Sequence, residues 1–114
     1  MNIEDRRYIP IELEHLHILS RFVEEEKEAF FTRNPGQIKI YRDKFIAAAL
    51  CQGAALHYID KKNGVKDFDI HFFYEQHPIK KQMSRRLWSI EEEVLDFGTR
   101  KIDFIRSVVP SRCI

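Results

Sequence analysis

The sequence predicts a small α/β domain in which a mixed β-sheet is flanked by helices. Residues 9–33 repeat apolar side chains at helical spacing, whereas residues 67–74 and 101–105 alternate polar and apolar side chains as strands do. The chain has 114 residues, of which 44% are hydrophobic, so it is long enough for one domain with a proper core. We therefore expect a single domain over residues 1–114.

The first helix is predicted over residues 9–33 because its apolar positions form one stripe: Leu16, Leu19, Val23 and Phe30. The charged run at residues 24–28 then forms a solvated face. Asn34-Pro35 begins a second predicted helix, which runs to about Leu50 on the stripe Ile38, Tyr41, Phe45 and Ala49.

The region from Leu50 to Tyr58 is ambiguous, and it fits a short strand ending at Gly53 followed by a helical turn. Asn63-Gly64 marks a turn before the strand at residues 67–74. Residues 75–86 are polar and predict a loop, and residues 87–97 predict a short helix that ends at Gly98.

Composition narrows the class of protein. The formal net charge is +1, which gives no bulk reason to expect nucleic-acid or membrane binding, although nucleic acid remains an alternative partner. Two cysteines, Cys51 and Cys113, do not make a disulfide scaffold. The polar first residues lack a signal-peptide pattern, and no run is apolar enough to span a membrane. These features predict a cytoplasmic protein with no membrane partner.

Three acidic residues carry the candidate chemistry. Asp67 and Asp69 flank Phe68 in a strand, so both carboxylates project from one face. Asp103 has apolar neighbours on a later strand, and it joins the other two if the strands are adjacent. Clustered carboxylates repel one another unless a cation lies between them, and their hard oxygens suit Mg²⁺ or Mn²⁺. The alternative is a polar strand edge whose acids pair with Lys66, Arg100 or Lys101.

The pattern resembles the nucleotidyltransferase superfamily of the polymerase-beta type. The matching segments are Cys51-Gln52-Gly53-Ala54, Asp67-Phe68-Asp69-Ile70 and Ile102-Asp103-Phe104. Residues 52–58 and 64–69 also look like the core of a bacterial branch of this superfamily that has no assigned activity. The resemblance covers roughly residues 38–106 and implies a minimal nucleotidyltransferase-like fold.

The resemblance implies a role for each matching residue. Asp67, Asp69 and Asp103 would form the catalytic, metal-binding set, with Asp103 lowering the pKa of the acceptor hydroxyl. Gly53 and Ala54 would border the nucleotide phosphates. Superfamily members carry Ser or Gly where this chain has Ala54, and Ala54 has no hydroxyl for a phosphate oxygen, so this departure leaves enzymatic activity open.

Basic and aromatic residues supply further candidates for nucleotide binding. Lys66, Arg85 and Arg86 are the basic candidates, and the loop that holds the two arginines also contains Lys80 and Lys81. Trp88 either stacks on a base or belongs to the core. His71 shares the face of the acids, so it is either a ligand or a strand-end histidine, whereas His57 is expected to be packed or capping.

These features predict a metal-dependent nucleotidyltransferase that moves a nucleoside monophosphate from a nucleoside triphosphate to an unidentified hydroxyl acceptor. Two alternatives stand beside it: an inactive binding or regulatory module of the same fold, and a metal-dependent nuclease, which the neutral charge disfavours. The domain is small for a complete enzyme, so a second copy of the chain or a partner protein is an expected addition.

Overall fold

The computed structural model describes residues 6–78 and 87–110, and it has a four-stranded mixed sheet with flanking helices. Helix α1 spans Leu13–Arg33 and is followed by 3₁₀ turns at Pro35–Gln37 and Arg42–Lys44 around a single-turn helix α2, Ile38–Tyr41. The remaining elements are β1 (Phe45–Cys51), α3 (Gln52–Asp60), β2 (Phe68–Glu75), β3 (Leu87–Glu93), a 3₁₀ turn (Leu95–Phe97) and β4 (Thr99–Val109).

The strand order is β1-β2-β4-β3. Strand β2 pairs with β1 in antiparallel and with β4 in parallel orientation, and β3 and β4 form an antiparallel hairpin. Strands β2 and β4 therefore lie side by side at the centre of the sheet, which is what the acidic constellation requires. No helix among the described residues is long and apolar enough to cross a membrane.

Helix α1 packs against one face of the sheet. Alternate residues of β2 are buried on this face: Phe68, Ile70, Phe72 and Tyr74. Three members of the predicted helical stripe, Leu19, Val23 and Phe30, are buried, while Leu16 is half-buried. Aromatic edge contacts such as Phe31 to Tyr74, at 6.3 Å between ring centroids, join the helix to the strand. The core is thus strongly aromatic.

The predicted second helix, which was expected to run to about Leu50, is wrong beyond Lys44. Helical backbone ends after Lys44, and Phe45–Cys51 is strand β1. Ala47, Ala48 and Ala49 favour helix in isolation, but each lies opposite a residue of β2, and this pairing satisfies the backbone. Tertiary pairing therefore overrides the local preference. The ambiguous segment that follows contains the end of β1 and then nine residues of α3.

The predicted helix over residues 87–97 is also wrong, because Leu87–Glu93 is strand β3. The spacing of Leu87, Ile90 and Val94 fits a helix, but Trp88 and Ile90 also fit the alternation of a strand. In the structure they lie opposite Phe104 and Ile102 of β4. Gly98 has a φ of +76°, which suits the tight turn that joins the two strands.

The candidate carboxylate site

Asp69 and Asp103 lie directly opposite each other on the two central strands. They are paired residues in the parallel register of β2 and β4, on the sheet face opposite α1. Both side chains are half-buried. Adjacent strands are separated by about 4.8 Å, so two carboxylates at one register position must interact. The predicted convergence of these two acids is therefore observed.

The surroundings of Asp69 disfavour its ionised form. Burial, then the hydrogen bond with Asp103 and the charges of Asp103 and Asp67, raise the pKa of Asp69 to about 6. Ser89 Oγ donates a hydrogen bond to Asp103 Oδ1 at 2.5 Å, and Lys101 Nζ lies 3.6 Å from the same oxygen. These two contacts hold the Asp103 side chain beside Asp69.

Asp67 lies immediately before β2, where it is half-buried and close enough to raise the pKa of Asp69 through its charge. It borders a neighbouring groove of about 240 Å³, which Asp69 also lines. The groove of about 280 Å³ on the other side of Asp69 contains Asp103. Asp69 therefore stands between the other two acids. Within the described part of the chain, no three candidate donors are already arranged as a metal-binding group.

The donor chemistry nevertheless fits a hard divalent cation. Asp69 and Asp103 supply carboxylate oxygens, the ligand type that Mg²⁺ and Mn²⁺ prefer. Burial and the neighbouring acids raise the pKa of Asp69 more than the charge of Lys101 lowers it. A bound cation would add positive charge and favour the ionised form of Asp69. Asp67 is the nearest further acid, on the other side of Asp69.

The start of helix α3 forms one wall of the groove that holds Asp67. Gln52 has a φ of +56°, so the chain makes a strained turn between β1 and α3. No side chain caps the first amides of α3. A Cβ built on Gly53 would lie 3.7 Å from the Asn63 side chain, an ordinary contact, so packing does not demand glycine there. The uncapped amides and the bare Cα are suited to an anion.

Ala54 also lines this groove but is only 1% exposed. Its methyl group is a core atom, which explains why a small apolar residue fits the position. Lys66 lies on the same groove, together with Arg6. Arg6 was not predicted; the N-terminal segment approaches the site because Arg7 pairs with Val65 through two backbone hydrogen bonds of 2.9 and 2.7 Å. The predicted candidates Arg85 and Arg86, like Lys80 and Lys81, lie outside the described residues.

Trp88 belongs to the core, the second of its two predicted placements. Its ring stacks on Phe104 at 5.2 Å between centroids, and its Nε1 donates a 2.8 Å hydrogen bond to Glu26 of α1. Arg106 lies over the same ring and over Phe30, so this arginine packs on the α1 side and away from the acids.

Three of the five histidines have contacts that define their roles, one of them at the site and two in the scaffold. His71 lines the groove of Asp103, and its Nε2 lies 2.7 Å from Ser107 Oγ. His57 is fully buried: its Nδ1 accepts from the Gly64 amide at 2.9 Å and its Nε2 donates to the Ile9 carbonyl at 2.8 Å. His15 accepts from the Glu12 amide and donates to Asp96 at 2.6 Å. The last two histidines hold elements together.

Cys51 ends β1 opposite Asp69. Burial and then the charge of Asp69 raise the pKa of the Cys51 thiol, so it remains protonated and poorly nucleophilic. Cys113 lies outside the described residues.

Sequence reasoning missed Ser89 and Gln52 as well as Arg6. Ser89 faces Asp103 only because β3 is a strand, and the helical interpretation of that segment concealed it. Gln52 lines both grooves, and the only sequence signal for it was its position before Gly53. The chain matches no protein-family model, no curated protein and no solved structure.

Proposed function

We propose that the protein is a metal-dependent nucleotidyltransferase that moves a nucleoside monophosphate from a nucleoside triphosphate to a hydroxyl acceptor. The observation that carries the proposal is the direct opposition of Asp69 and Asp103 on adjacent parallel strands, beside the uncapped start of α3. Catalysis of phosphoryl transfer consists mainly of positioning the substrates and stabilising charge, and acids of this kind can hold the metal ions that do so. Asp67, two residues before Asp69, would be the third acid of the set.

In this reaction the acceptor oxygen forms a bond to the α-phosphorus while the bond from that phosphorus to the bridging oxygen breaks, which releases pyrophosphate. Asp103 promotes attack by accepting the proton of the acceptor hydroxyl. Ser89 and Lys101 hold the Asp103 side chain in place for this step. Asp67 and Asp69, with Asp103, would hold Mg²⁺ or Mn²⁺. When bound, the cation supplies positive charge that offsets the charge on the phosphates and the carboxylates.

The phosphates would lie in the groove beside Gly53, where the backbone amides at the start of α3 face the ligand. Lys66 and Arg6 add positive charge on the same groove. Ala54 contributes no hydroxyl, so backbone amides must provide the polar contacts at this position. In this arrangement the triphosphate would lie on the Asp67 side of Asp69 and the acceptor on the Asp103 side.

A thermal unfolding experiment tests this proposal without knowledge of the acceptor. We expect the Tm to rise when Mn²⁺ and a non-hydrolysable nucleoside triphosphate are added together, since a ligand that binds only the folded state stabilises it. Asp69→Asn should abolish the shift. Asp43→Asn is the matched control, because Asp43 is exposed and lines neither of the two grooves that Asp69 borders. An unchanged Tm for the wild-type chain with every triphosphate would refute the proposal.

The buried methyl of Ala54 favours one alternative, a nucleotide-binding module that does not catalyse transfer. The two functions differ in turnover. Release of pyrophosphate from triphosphates in the presence of hydroxyl acceptors, and its loss in Asp103→Asn, is expected of the enzyme. Metal-dependent binding with no pyrophosphate release across sugars, nucleic acids and proteins as acceptors would favour the module.

A further inference from the structure

A row of polar side chains crosses three adjacent strands on the sheet face opposite α1. Asp69 of β2 pairs with Asp103 of β4, and Asp103 pairs in turn with Ser89 of β3. Residues at one register position on adjacent strands project from the same side of a sheet, so their side chains are neighbours. All three line the groove of about 280 Å³. The acid pair therefore has a protein hydroxyl beside it.

The Ser89 hydroxyl is bound to the carboxylate that the proposed reaction uses as its base. Ser89 Oγ donates a hydrogen bond to Asp103 Oδ1 at 2.5 Å. A nucleophile and its general base are recognised by this contact, in which the hydroxyl proton already points at the group that removes it. Lys101 Nζ lies 3.6 Å from the same carboxylate oxygen, so positive charge is close to any phosphate attached to Ser89.

Ser89 is also accessible from the groove in which the triphosphate is proposed to lie. Its side chain is exposed, whereas Asp69 and Asp103 are half-buried. Asp69 and Gln52 line both this groove and the groove of about 240 Å³ beside Gly53, so the two grooves adjoin. A triphosphate bound beside Gly53 can therefore extend across the acid pair to Ser89 along the surface of the protein.

Ser107 shows that a hydroxyl on this face is not enough. It lies on β4, on the same side of the sheet as Asp103, and its Oγ lies 2.7 Å from His71 Nε2. It lines neither of the two grooves that Asp69 borders. Within residues 6–78 and 87–110, Ser89 is the only serine that lines either groove. The two serines thus form a matched pair for an experiment.

We propose that Ser89 is an acceptor in the proposed reaction, so that the chain attaches a nucleoside monophosphate to its own serine. This inference rests on the proposed nucleotidyl transfer and names an acceptor for it. Ser89 Oγ forms a bond to the α-phosphorus while the bond from that phosphorus to the bridging oxygen breaks. Pyrophosphate leaves with the electron pair of the broken bond, and the hydroxyl proton passes to Asp103. The product is a phosphodiester between Ser89 and the nucleoside.

Mass spectrometry of the intact protein tests this inference. The chain is incubated with Mn²⁺ and, in turn, with ATP, GTP, CTP or UTP. We expect its mass to increase by one nucleoside monophosphate with at least one of these triphosphates, and peptide fragmentation should place the added group on Ser89. An excess of EDTA should prevent the increase. An added group on any other residue would overturn the inference.

Variants of the two serines provide the controls. Ser89→Ala should abolish the increase in mass, and Ser89→Thr, which keeps a hydroxyl at this position, should restore it. Ser107→Ala is the matched control and should be modified to the same extent as the wild type. An increase that persists in Ser89→Ala would overturn the inference. If Ser89→Ala fails to fold, the position of the added group in the wild-type chain decides the question.

The failure of this inference can be distinguished from the failure of the proposed function. A rise in Tm with Mn²⁺ and a non-hydrolysable triphosphate shows that the site binds its nucleotide. If that rise is observed and the wild-type chain gains no mass with any of the triphosphates, Ser89 serves only to position Asp103 and the inference is wrong. If neither the Tm nor the mass changes, the inference and the proposed function are both wrong.

Discussion

Replacing Asp103 by Asn should stabilise the protein at pH 8 and leave its stability unchanged at pH 4, in the absence of metal. The substitution removes one negative charge from the pair and keeps an oxygen that can accept the hydrogen bond from Ser89. It also gives Asp69 an amide donor in place of a competing carboxylate. Asp103 should thus lower the free energy of unfolding at pH 8, as residues of functional sites often do.

The pKa of Asp69 sets the magnitude and the pH window. Asp69 has a pKa of about 6 in the folded protein against an ordinary value of 3.8, so its ionisation destabilises the folded state as the pH rises through this range. A difference of this size corresponds to about 3 kcal/mol for a fully buried group, at 1.36 kcal/mol per pH unit. Asp69 is only half-buried, so solvent screens its interaction with Asp103. The burial of Asp69 is also unchanged in the variant. We therefore expect Asp103→Asn to raise the free energy of unfolding by roughly 1 kcal/mol at pH 8.

Urea unfolding at pH values from 4 to 8, with EDTA present, measures this gain. The free energies of unfolding of wild type and Asp103→Asn should coincide at pH 4, diverge between about pH 4 and pH 7, and differ by a constant amount at higher pH. At pH 8 the difference should be roughly 1 kcal/mol, which corresponds to about 4 °C in Tm. Mn²⁺ should reverse the order by stabilising the wild type alone. An equal difference between the two proteins at pH 4 and pH 8 would refute the account of the acid pair.

Three further substitutions examine the scaffold and the turn at α3. His57→Leu should lower the free energy of unfolding, measured in urea, by about 2–4 kcal/mol, because it leaves the Gly64 amide and the Ile9 carbonyl without their hydrogen-bond partner. A loss below about 1 kcal/mol would argue against a stabilising role for these two hydrogen bonds. Gly53→Ala should leave the free energy of unfolding unchanged or raise it by up to about 1 kcal/mol. The same substitution should abolish the rise in Tm caused by triphosphate and Mn²⁺, and a retained rise would exclude Gly53 from the phosphate site. Asp96→Asn should lower the Tm at pH 7 and should lower it progressively less as the pH falls below 3.8, since the hydrogen bond from His15 lowers the pKa of Asp96 and the stabilisation is lost as this acid becomes protonated in the folded state; a pH-independent loss would contradict this.

Local sequence patterns were sufficient to predict an element where only one of its faces is buried. The apolar stripe of α1 and the alternation of β2 both indicate an element that packs on one side only. Both elements are observed close to their predicted bounds. The relation of Asp69 to Asp103 also followed from sequence, since each acid interrupts an apolar strand. Their adjacency needed the assumption that the two strands are neighbours, and the parallel register satisfies it.

Local patterns failed where two periodicities fit the same residues. Residues 45–51 and 87–93 contain apolar positions that suit a helix as well as a strand, and in both segments the partner strand decided the outcome. The misassigned β3 also concealed Ser89, the donor to Asp103. Arg6 could not be foreseen because its place at the groove depends on the pairing of Arg7 with Val65, 58 positions apart along the chain.

The sequence by itself determined the acidic residues, their alternation with core side chains and the glycine turn before them, because these depend on neighbours within a few positions. Only the tertiary structure decided that the pKa of Asp69 is raised, which groove each acid lines and which sheet edge is left uncharged. Those properties arise from strand order and burial, and the free energy of pairing distant segments exceeds the local preference of either one.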